Sequence, residues 1–422
     1  DISGDIDVDG TANLDVVDID TSLTVDGTIK LNGNYPTAAN NVALGNAALS
    51  SGSLSGGNNV AIGHLSGDAN TSGQQNTFVG SFSGSDNSTG SFNSFFGTVA
   101  GFSNTTGANN VAVGDNALYH NTTADNNTAV GKSALITNTT GGQNVAIGSY
   151  ALQDSTTGNY NVAVGYLANE NNTTGSSNVA IGRAALNENS TGGTNVAVGR
   201  SALLANTTAS NNTAVGYSVL ASNTTGANNV AIGALALDSN TTASDNVAIG
   251  LNAAGATTTG AGNIAIGTNS LLQNTTGASN VSIGTYSLNA NTTASNNTGI
   301  GYQALTANTT GDRNTSSGYR SMASNTTGST HVAIGAESLR DNTTGTGSTA
   351  LGWATLAINT TGNYNVAVGM SSLLYNLTGF NNVGVGAFTL DANTTGSSNT
   401  AVGHSALSAN TTAANNTAFG RN

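Results

Sequence analysis

Few residues of this chain have the types and spacing that catalysis or metal binding requires. The best candidate lies near the amino terminus, where Asp5, Asp7 and Asp9 alternate before Gly10 as in the first half of a calcium-binding loop. The twelfth loop position, where a bidentate Glu is expected, holds Val16. We therefore treat these carboxylates as a weak calcium candidate, and an exposed row of Asp on a strand is the favoured alternative.

The other reactive side chains do not form a recognisable constellation. The chain has no Cys, and its four His are scattered at His64, His120, His331 and His404. No Ser-His-Asp set, metal-spaced cluster or phosphate-binding loop is apparent. The sequence predicts no catalytic residue and no cofactor, and hence a protein that is not an enzyme.

A repeat of 17 residues fills almost all of the chain. Its clearest marker is a Gly that closes a short apolar run, first at Gly45 and last at Gly420. The first step between these glycines is 18 residues, and the next 21 steps are all 17. Units of this size stack on their neighbours and build an elongated array. The function is therefore expected to depend on a repetitive surface.

One unit runs from Asn195 (position 1) through Gly199 (position 5) to Asn211 (position 17). Positions 2 and 4 are mostly Val or Ile and lie two residues apart, so we expect both to face the interior from one strand. Position 3 is almost always small, which predicts close approach by another surface, such as a neighbouring subunit. Position 9 is usually Leu and predicts a second strand facing the same interior.

These patterns predict an all-β fold, a parallel β-solenoid (β-roll) of about 22 coils, packed as a homotrimeric fibre. Coils about 4.8 Å apart would make a rod on the order of 105 Å long. Each coil buries only about three large apolar side chains, so packing between chains would add needed burial. Asn at position 1, replaced only by His331 and Ser348, predicts a hydrogen-bonded ladder along the rod.

Composition divides the chain and restricts its partners. Residues 1–38 are predicted to form an acidic, β-rich shaft or cap segment, and residues 39–422 the repeat array. The net charge of -13, with eight Lys and Arg, argues against nucleic acid as a partner. No apolar run reaches the roughly 20 residues that span a bilayer, so no membrane insertion by this segment is expected. The chain begins at Asp1 without a visible signal peptide, and we expect an internal portion of a longer polypeptide.

Three recurring features have alternative interpretations. Asn-Thr-Thr, as at Asn104 and Asn206, is formally a glycosylation sequon but is better explained as a turn that bonds its own backbone. Rows of Thr also suggest ice binding, although adjacent Thr residues on a strand would point to opposite faces. Six of the nine Phe lie between Phe78 and Phe102, which predicts a wider local core or a tighter subunit contact.

Position 6, directly after the repeat Gly, is the most varied column. Residues so different cannot share one buried slot, so the column is expected to face solvent. It is rich in Tyr, Trp and Arg, the types that dominate binding hot spots. We weigh a neutral exposed column, which is favoured, against a receptor-contacting column formed by Tyr166, Arg183, Arg200, Tyr217, Tyr302, Tyr319 and Trp353.

The run Asn-Asn-Val-Ala-Ile-Gly at residues 58–63 and 228–233 resembles the head repeat of trimeric autotransporter adhesins, which is also found in bacteriophage tail fibre proteins. The resemblance covers residues 39–422, although the period here is longer. It implies left-handed parallel β-rolls, three of which pack around a threefold axis. The segment around residues 23–27 is similar, more weakly, to shaft segments of marine phage fibre proteins.

Together these features predict a non-enzymatic extracellular fibre protein, a shaft or adhesive head. A phage tail fibre on the virion surface ranks first, a trimeric adhesin on the bacterial cell surface second, and an ice-binding protein third. The partners expected are two further copies of the chain and a host cell-surface glycan or protein receptor.

Overall fold

The computed structural model describes residues 40–422. The candidate calcium ligands Asp5, Asp7 and Asp9, like most of the predicted amino-terminal segment, lie outside the described residues. Every regular element in the described part is a strand of three residues. The strands are β1 (Val42–Leu44), β2 (Val60–Ile62), β3 (Thr77–Val79), β4 (Ser94–Phe96), β5 (Val111–Val113), β6 (Thr128–Val130), β7 (Val145–Ile147), β8 (Val162–Val164), β9 (Val179–Ile181), β10 (Val196–Val198), β11 (Thr213–Val215), β12 (Val230–Ile232), β13 (Val247–Ile249), β14 (Ile264–Ile266), β15 (Val281–Ile283), β16 (Thr298–Ile300), β17 (Thr315–Ser317), β18 (Val332–Ile334), β19 (Thr349–Leu351), β20 (Val366–Val368), β21 (Val383–Val385), β22 (Thr400–Val402) and β23 (Thr417–Phe419).

Each strand pairs in parallel with the strand of the next coil. Between β10 and β11, for example, Val196 lies opposite Thr213 and Ala197 opposite Ala214, so the register equals one repeat. The same register continues through all pairs and joins the 23 strands into one sheet. This confirms the parallel β-solenoid with one coil per 17-residue repeat. At the spacing of paired strands, the sheet is on the order of 105 Å long.

The interior is formed by positions 1, 3, 8, 9, 12 and 15 of each coil. In the β10 coil, Ala197, Ala202 and Leu203 are fully buried and supply its apolar part. Asn195 and Asn206 are buried beside them. Each coil therefore contains one large apolar residue, a few small ones and two amides, which makes the interior narrow.

The prediction that positions 2 and 4 face the interior was wrong. The middle residue of each strand, at position 3, points inward, as Ala146 and Ala180 do. Its neighbours point outward, and Ile147 and Ile181 are 41% and 40% exposed. The lumen explains the reversal, because one strand faces the turns of its own coil across too little space for Val or Ile. Position 3 is small for this internal reason and not because a second chain approaches it.

The predicted second strand is also absent from the described coils. Leu203 at position 9 is buried as expected, but it lies in a turn with φ of 51°. Ser201 at position 7 and Asn211 at position 17 are left-handed as well, with φ of 58° and 63°. Such backbone costs an L-residue roughly 1–2 kcal/mol. The coil accepts this cost repeatedly because the three left-handed residues reverse the chain within a short perimeter.

Position 5 can hold only Gly. Gly199 has φ of 135°, and a Cβ added there would lie 2.2 Å from the carbonyl oxygen of Gly216 in the next coil. Both the backbone conformation and the close stacking of coils therefore exclude a side chain. This accounts for the marker from which the period is apparent.

Two coils have an exchanged core. In the β4 coil, Phe95 occupies position 3 and Gly101 occupies position 9, which is the reverse of the usual small residue and Leu. A Cβ at Gly101 would lie 2.4 Å from the Phe95 ring. Phe78 and Gly84 repeat this arrangement in the β3 coil, and the two Phe rings stack with centroids 5.4 Å apart. The prediction of a locally altered core is confirmed for these two Phe.

Candidate functional site

Position 1 forms the predicted Asn ladder inside the rod. The amide N–H of Asn212 donates to Oδ1 of Asn195 in the preceding coil, at 3.0 Å. Nδ2 of Asn195 donates to the carbonyl oxygen of Ala209 in its own coil, at 2.9 Å. Each amide thus links two coils and closes its own, which satisfies polar atoms that would otherwise be buried without a partner.

Position 12 forms a second ladder that sequence reasoning did not identify. Nδ2 of Asn206 donates to Oδ1 of Asn189 at 2.9 Å, and Oδ1 of Asn206 accepts from Nδ2 of Asn223 at 3.0 Å. Nδ2 of Asn206 also donates to the Ala209 carbonyl at 3.0 Å, as predicted for a turn. Asn206 and Asn104 are fully buried, so the sequon amides are inaccessible in the folded rod. Strict recurrence of Asn at this position was the available signal.

The two Thr after each position-12 Asn have different environments. Oγ1 of Thr207 at position 13 donates to the carbonyl oxygen of Thr224 in the next coil, at 3.1 Å. Thr208 at position 14 is exposed, and Thr occupies this position in every coil from Thr89 to Thr412. The array therefore carries one continuous row of exposed Thr.

His331 takes the place of the position-1 Asn in the β18 coil and reproduces its bonds. Its Nε2–H donates to the carbonyl oxygen of Gly345, and its Nδ1 accepts the amide N–H of Ser348 at 3.1 Å. Burial lowers the pKa of His331, an effect that its backbone hydrogen bonds partly oppose. The neutral imidazole, with a donor and an acceptor on opposite nitrogens, is the form that fits this ladder.

Position 6 faces solvent, as the sequence predicted. Its aromatic members are prominent, with Trp353 56% exposed and Tyr319 51%. Exposure also holds for the remaining members of the predicted contact column, Tyr166, Arg183, Arg200, Tyr217 and Tyr302. Whether these residues bind a receptor stays a prediction.

The contact column separates into two groups along the rod. Tyr166, Arg183, Arg200 and Tyr217 occupy position 6 of four consecutive coils, and we call them the basic–aromatic row. The Arg200 Cζ atom lies 5.7 Å from the centroid of the Tyr217 ring. Adjacent coils are about 4.8 Å apart, so the row is about 14 Å long.

The second group lies further along the rod. The rings of Tyr302 and Tyr319 stack with centroids 5.7 Å apart and an angle of 10° between their planes. Tyr286 meets Tyr302 edge-on at 6.5 Å, and Trp353 lies two coils beyond Tyr319. Arg340 is held nearby in sequence by ion pairs to Asp341 at 2.7 Å and to Glu337 at 3.1 Å.

Comparison with known proteins adds no assignment. No protein-family model and no curated protein matches the chain. Among residues 40–422, no group of three or more His, Cys, Asp or Glu is placed to hold a metal ion. The same residues include no helix of the length and apolarity needed to cross a membrane.

Proposed function

We propose that this chain is a structural component of an extracellular fibre, in which copies of the rod associate side by side. The observation that carries the proposal is the outward face of the sheet. Positions 2 and 4 place Val, Ile and Thr on that face in every part of the array, as Ile147, Ile181 and Ile232 illustrate. Extended apolar surfaces of this kind are uncommon on monomeric proteins and mark association sites.

The occupant best suited to this face is another copy of the chain. The outward side chains repeat once per coil over the whole sheet. A partner with any other repeat distance would lose register with them after a few coils, whereas an identical rod placed in parallel stays in register throughout. The resemblance to trimeric adhesin heads and phage fibres supports three copies around one axis, and it supports a shaft or head that presents a receptor-binding surface, most simply in a phage tail fibre.

Sedimentation velocity of the full chain tests this association. We expect a trimer, and we expect the variant Ile147→Glu, Ile181→Glu, Ile232→Glu to sediment as a monomer because three carboxylates cannot be buried on an apolar face. The matched control changes exposed position-14 residues of the same coils, Thr157, Thr191 and Thr242, to Glu. That control should remain a trimer. A wild-type monomer at micromolar concentration would contradict the proposal.

Ice binding is the second candidate, and one observation favours it. The exposed Thr row at position 14 is continuous over most of the array, with Thr89 and Thr412 at its ends. Only one of the two adjacent Thr columns is free, because the hydroxyl of the other is bonded to the backbone. Thermal hysteresis of the wild-type chain, abolished by changing position-14 Thr residues to Lys, would promote this candidate over the fibre.

A further inference from the structure

Charge is distributed unevenly around the coil. Positions 10 and 11 hold most of the carboxylates of the array, and the basic residues concentrate at positions 6 and 7. The position-10 and position-11 carboxylates are Asp68, Asp86, Asp154, Glu170, Glu188, Asp238, Asp341 and Asp391. The position-6 and position-7 cations are Lys132, Arg183, Arg200, Arg320 and Arg421.

The basic–aromatic row is the strongest local expression of this separation. Arg183 and Arg200 are exposed and adjacent, and among the described residues neither forms an ion pair. The carboxylates of the neighbouring coils are engaged elsewhere, since Glu170 accepts from Asn187 at 2.9 Å and Glu188 accepts from Asn171 at 3.1 Å. Two guanidinium groups with free donors therefore stand side by side on a chain with an acidic balance.

Aromatic rings enclose this pair of cations. Tyr166 precedes Arg183 by one coil and Tyr217 follows Arg200 by one coil, and each ring is about half exposed. Tyr150 extends the aromatic surface, since its ring meets that of Tyr166 edge-on with centroids 6.2 Å apart. The order along the rod is ring, cation, cation, ring, at one coil per step.

We propose that the basic–aromatic row binds an extended acidic oligosaccharide that lies along the rod axis. The apolar faces of pyranose rings would pack on Tyr166 and Tyr217, and carboxylate or sulfate groups between them would pair with the Arg forks. An extended pyranose chain advances by about one coil spacing per sugar, so successive sugars would meet successive coils. The inference rests on the proposed attachment function and specifies the chemistry of its ligand.

A single-stranded nucleic acid could use the same elements, because bases stack on aromatic rings and phosphates pair with Arg. Two features favour the sugar. The array places carboxylates at positions 10 and 11 of the same coils, as with Glu170 and Glu188, and these would repel a continuous polyanion. The row also offers only two adjacent cations, which suits a chain with isolated acidic groups better than one with a phosphate at every unit.

Titration calorimetry of the full chain with defined hexasaccharides tests the proposal. The probes are oligogalacturonate for carboxylates, a chondroitin sulfate hexasaccharide for sulfates, and uncharged cellohexaose. We expect at least one acidic probe to bind more tightly than cellohexaose, with affinity that falls as salt rises. Changing Arg183 and Arg200 together to Ser, the residue that Ser149 places naturally at position 6, should weaken that binding by about tenfold.

The control variant removes the same charge outside the row, through Arg313→Ser with Arg421→Ser, and should bind like the wild type. Equal loss in both variants, or no binding of either acidic probe, would overturn the proposal. So would tighter binding of a single-stranded oligothymidylate than of every sugar. Sedimentation of the same samples separates the two proposals: chains that associate but bind no acidic sugar refute the ligand alone. A change of association state on substituting Arg183 and Arg200 would identify the row as a subunit contact instead.

Discussion

The exchanged core of the β4 coil provides a quantitative test of how the interior is filled. Phe95 at position 3 and Gly101 at position 9 share one volume, since a Cβ at Gly101 would lie 2.4, 2.5 and 2.7 Å from atoms of the ring. The next coil fills the same volume with Ala112 and Leu118. Leu118 has φ of 56° and Gly101 has φ of 60°, so the backbone already accepts Leu at this position.

Three variants form a double-mutant cycle. Phe95→Ala leaves a cavity and should lower the local stability by about 3–5 kcal/mol. Gly101→Leu forces a side chain into the ring and should cost about 1–3 kcal/mol or more. The two changes together recreate the Ala and Leu pair of the next coil, so we expect the double variant within about 2 kcal/mol of the wild type. The coupling between the two sites is therefore expected to be large and stabilising.

Native-state hydrogen exchange of peptides that cover β3 to β5 measures this cycle. A local reading is required because a long array need not unfold in one step. We expect Phe95→Ala to reduce amide protection in β4 by roughly two to three orders of magnitude, and the double variant to restore most of it. Additive effects of the two substitutions would refute the shared-volume explanation, as would full tolerance of Gly101→Leu alone.

Three further predictions concern buried polar atoms and backbone. Since burial lowers the pKa of His331, the unfolded chain binds a proton more readily, so the stability of the β18 coil should fall as pH drops below 6.5; His331→Asn should remove this dependence in hydrogen exchange measured from pH 8 to 5. Asn206→Ala should cost about 1–3 kcal/mol by leaving ladder amides unpaired, whereas Asn410→Ala in the partly exposed last ladder step should cost less by the same method. Gly199→Ala should prevent native stacking of its coil, seen as a break in protection there, and an unchanged profile would contradict the stacking geometry.

The sequence was sufficient for the period, the parallel stacking and the first Asn ladder, because each depends on a residue type that one conformation demands. Gly199 must be Gly and Asn195 must be an amide, so their recurrence specifies a coil. The sequence was insufficient to decide which face of the strand points inward. Alternation defines two faces, and the usual rule places Val and Ile inside. The width of the lumen, which the strand pattern does not contain, reverses that rule.

The turns and the contact column differ in how far the residues could lead. Left-handed Leu203 could not be anticipated, because Leu disfavours that conformation and only the closure of a short coil imposes it. Exposure of position 6 was predictable from its variety. The pairing of Arg200 with the Tyr217 ring followed only from the register, which places side chains 17 residues apart next to each other.

The side-by-side association of rods through the outward Val and Ile columns is the central claim, and a cryo-electron-microscopy map of the assembled full chain tests it most directly. The account predicts three parallel rods with a rise of about 4.8 Å per coil, and with positions 2 and 4 buried between them. Separate rods whose Val and Ile columns remain uncovered, or rods that touch through another face, would contradict it.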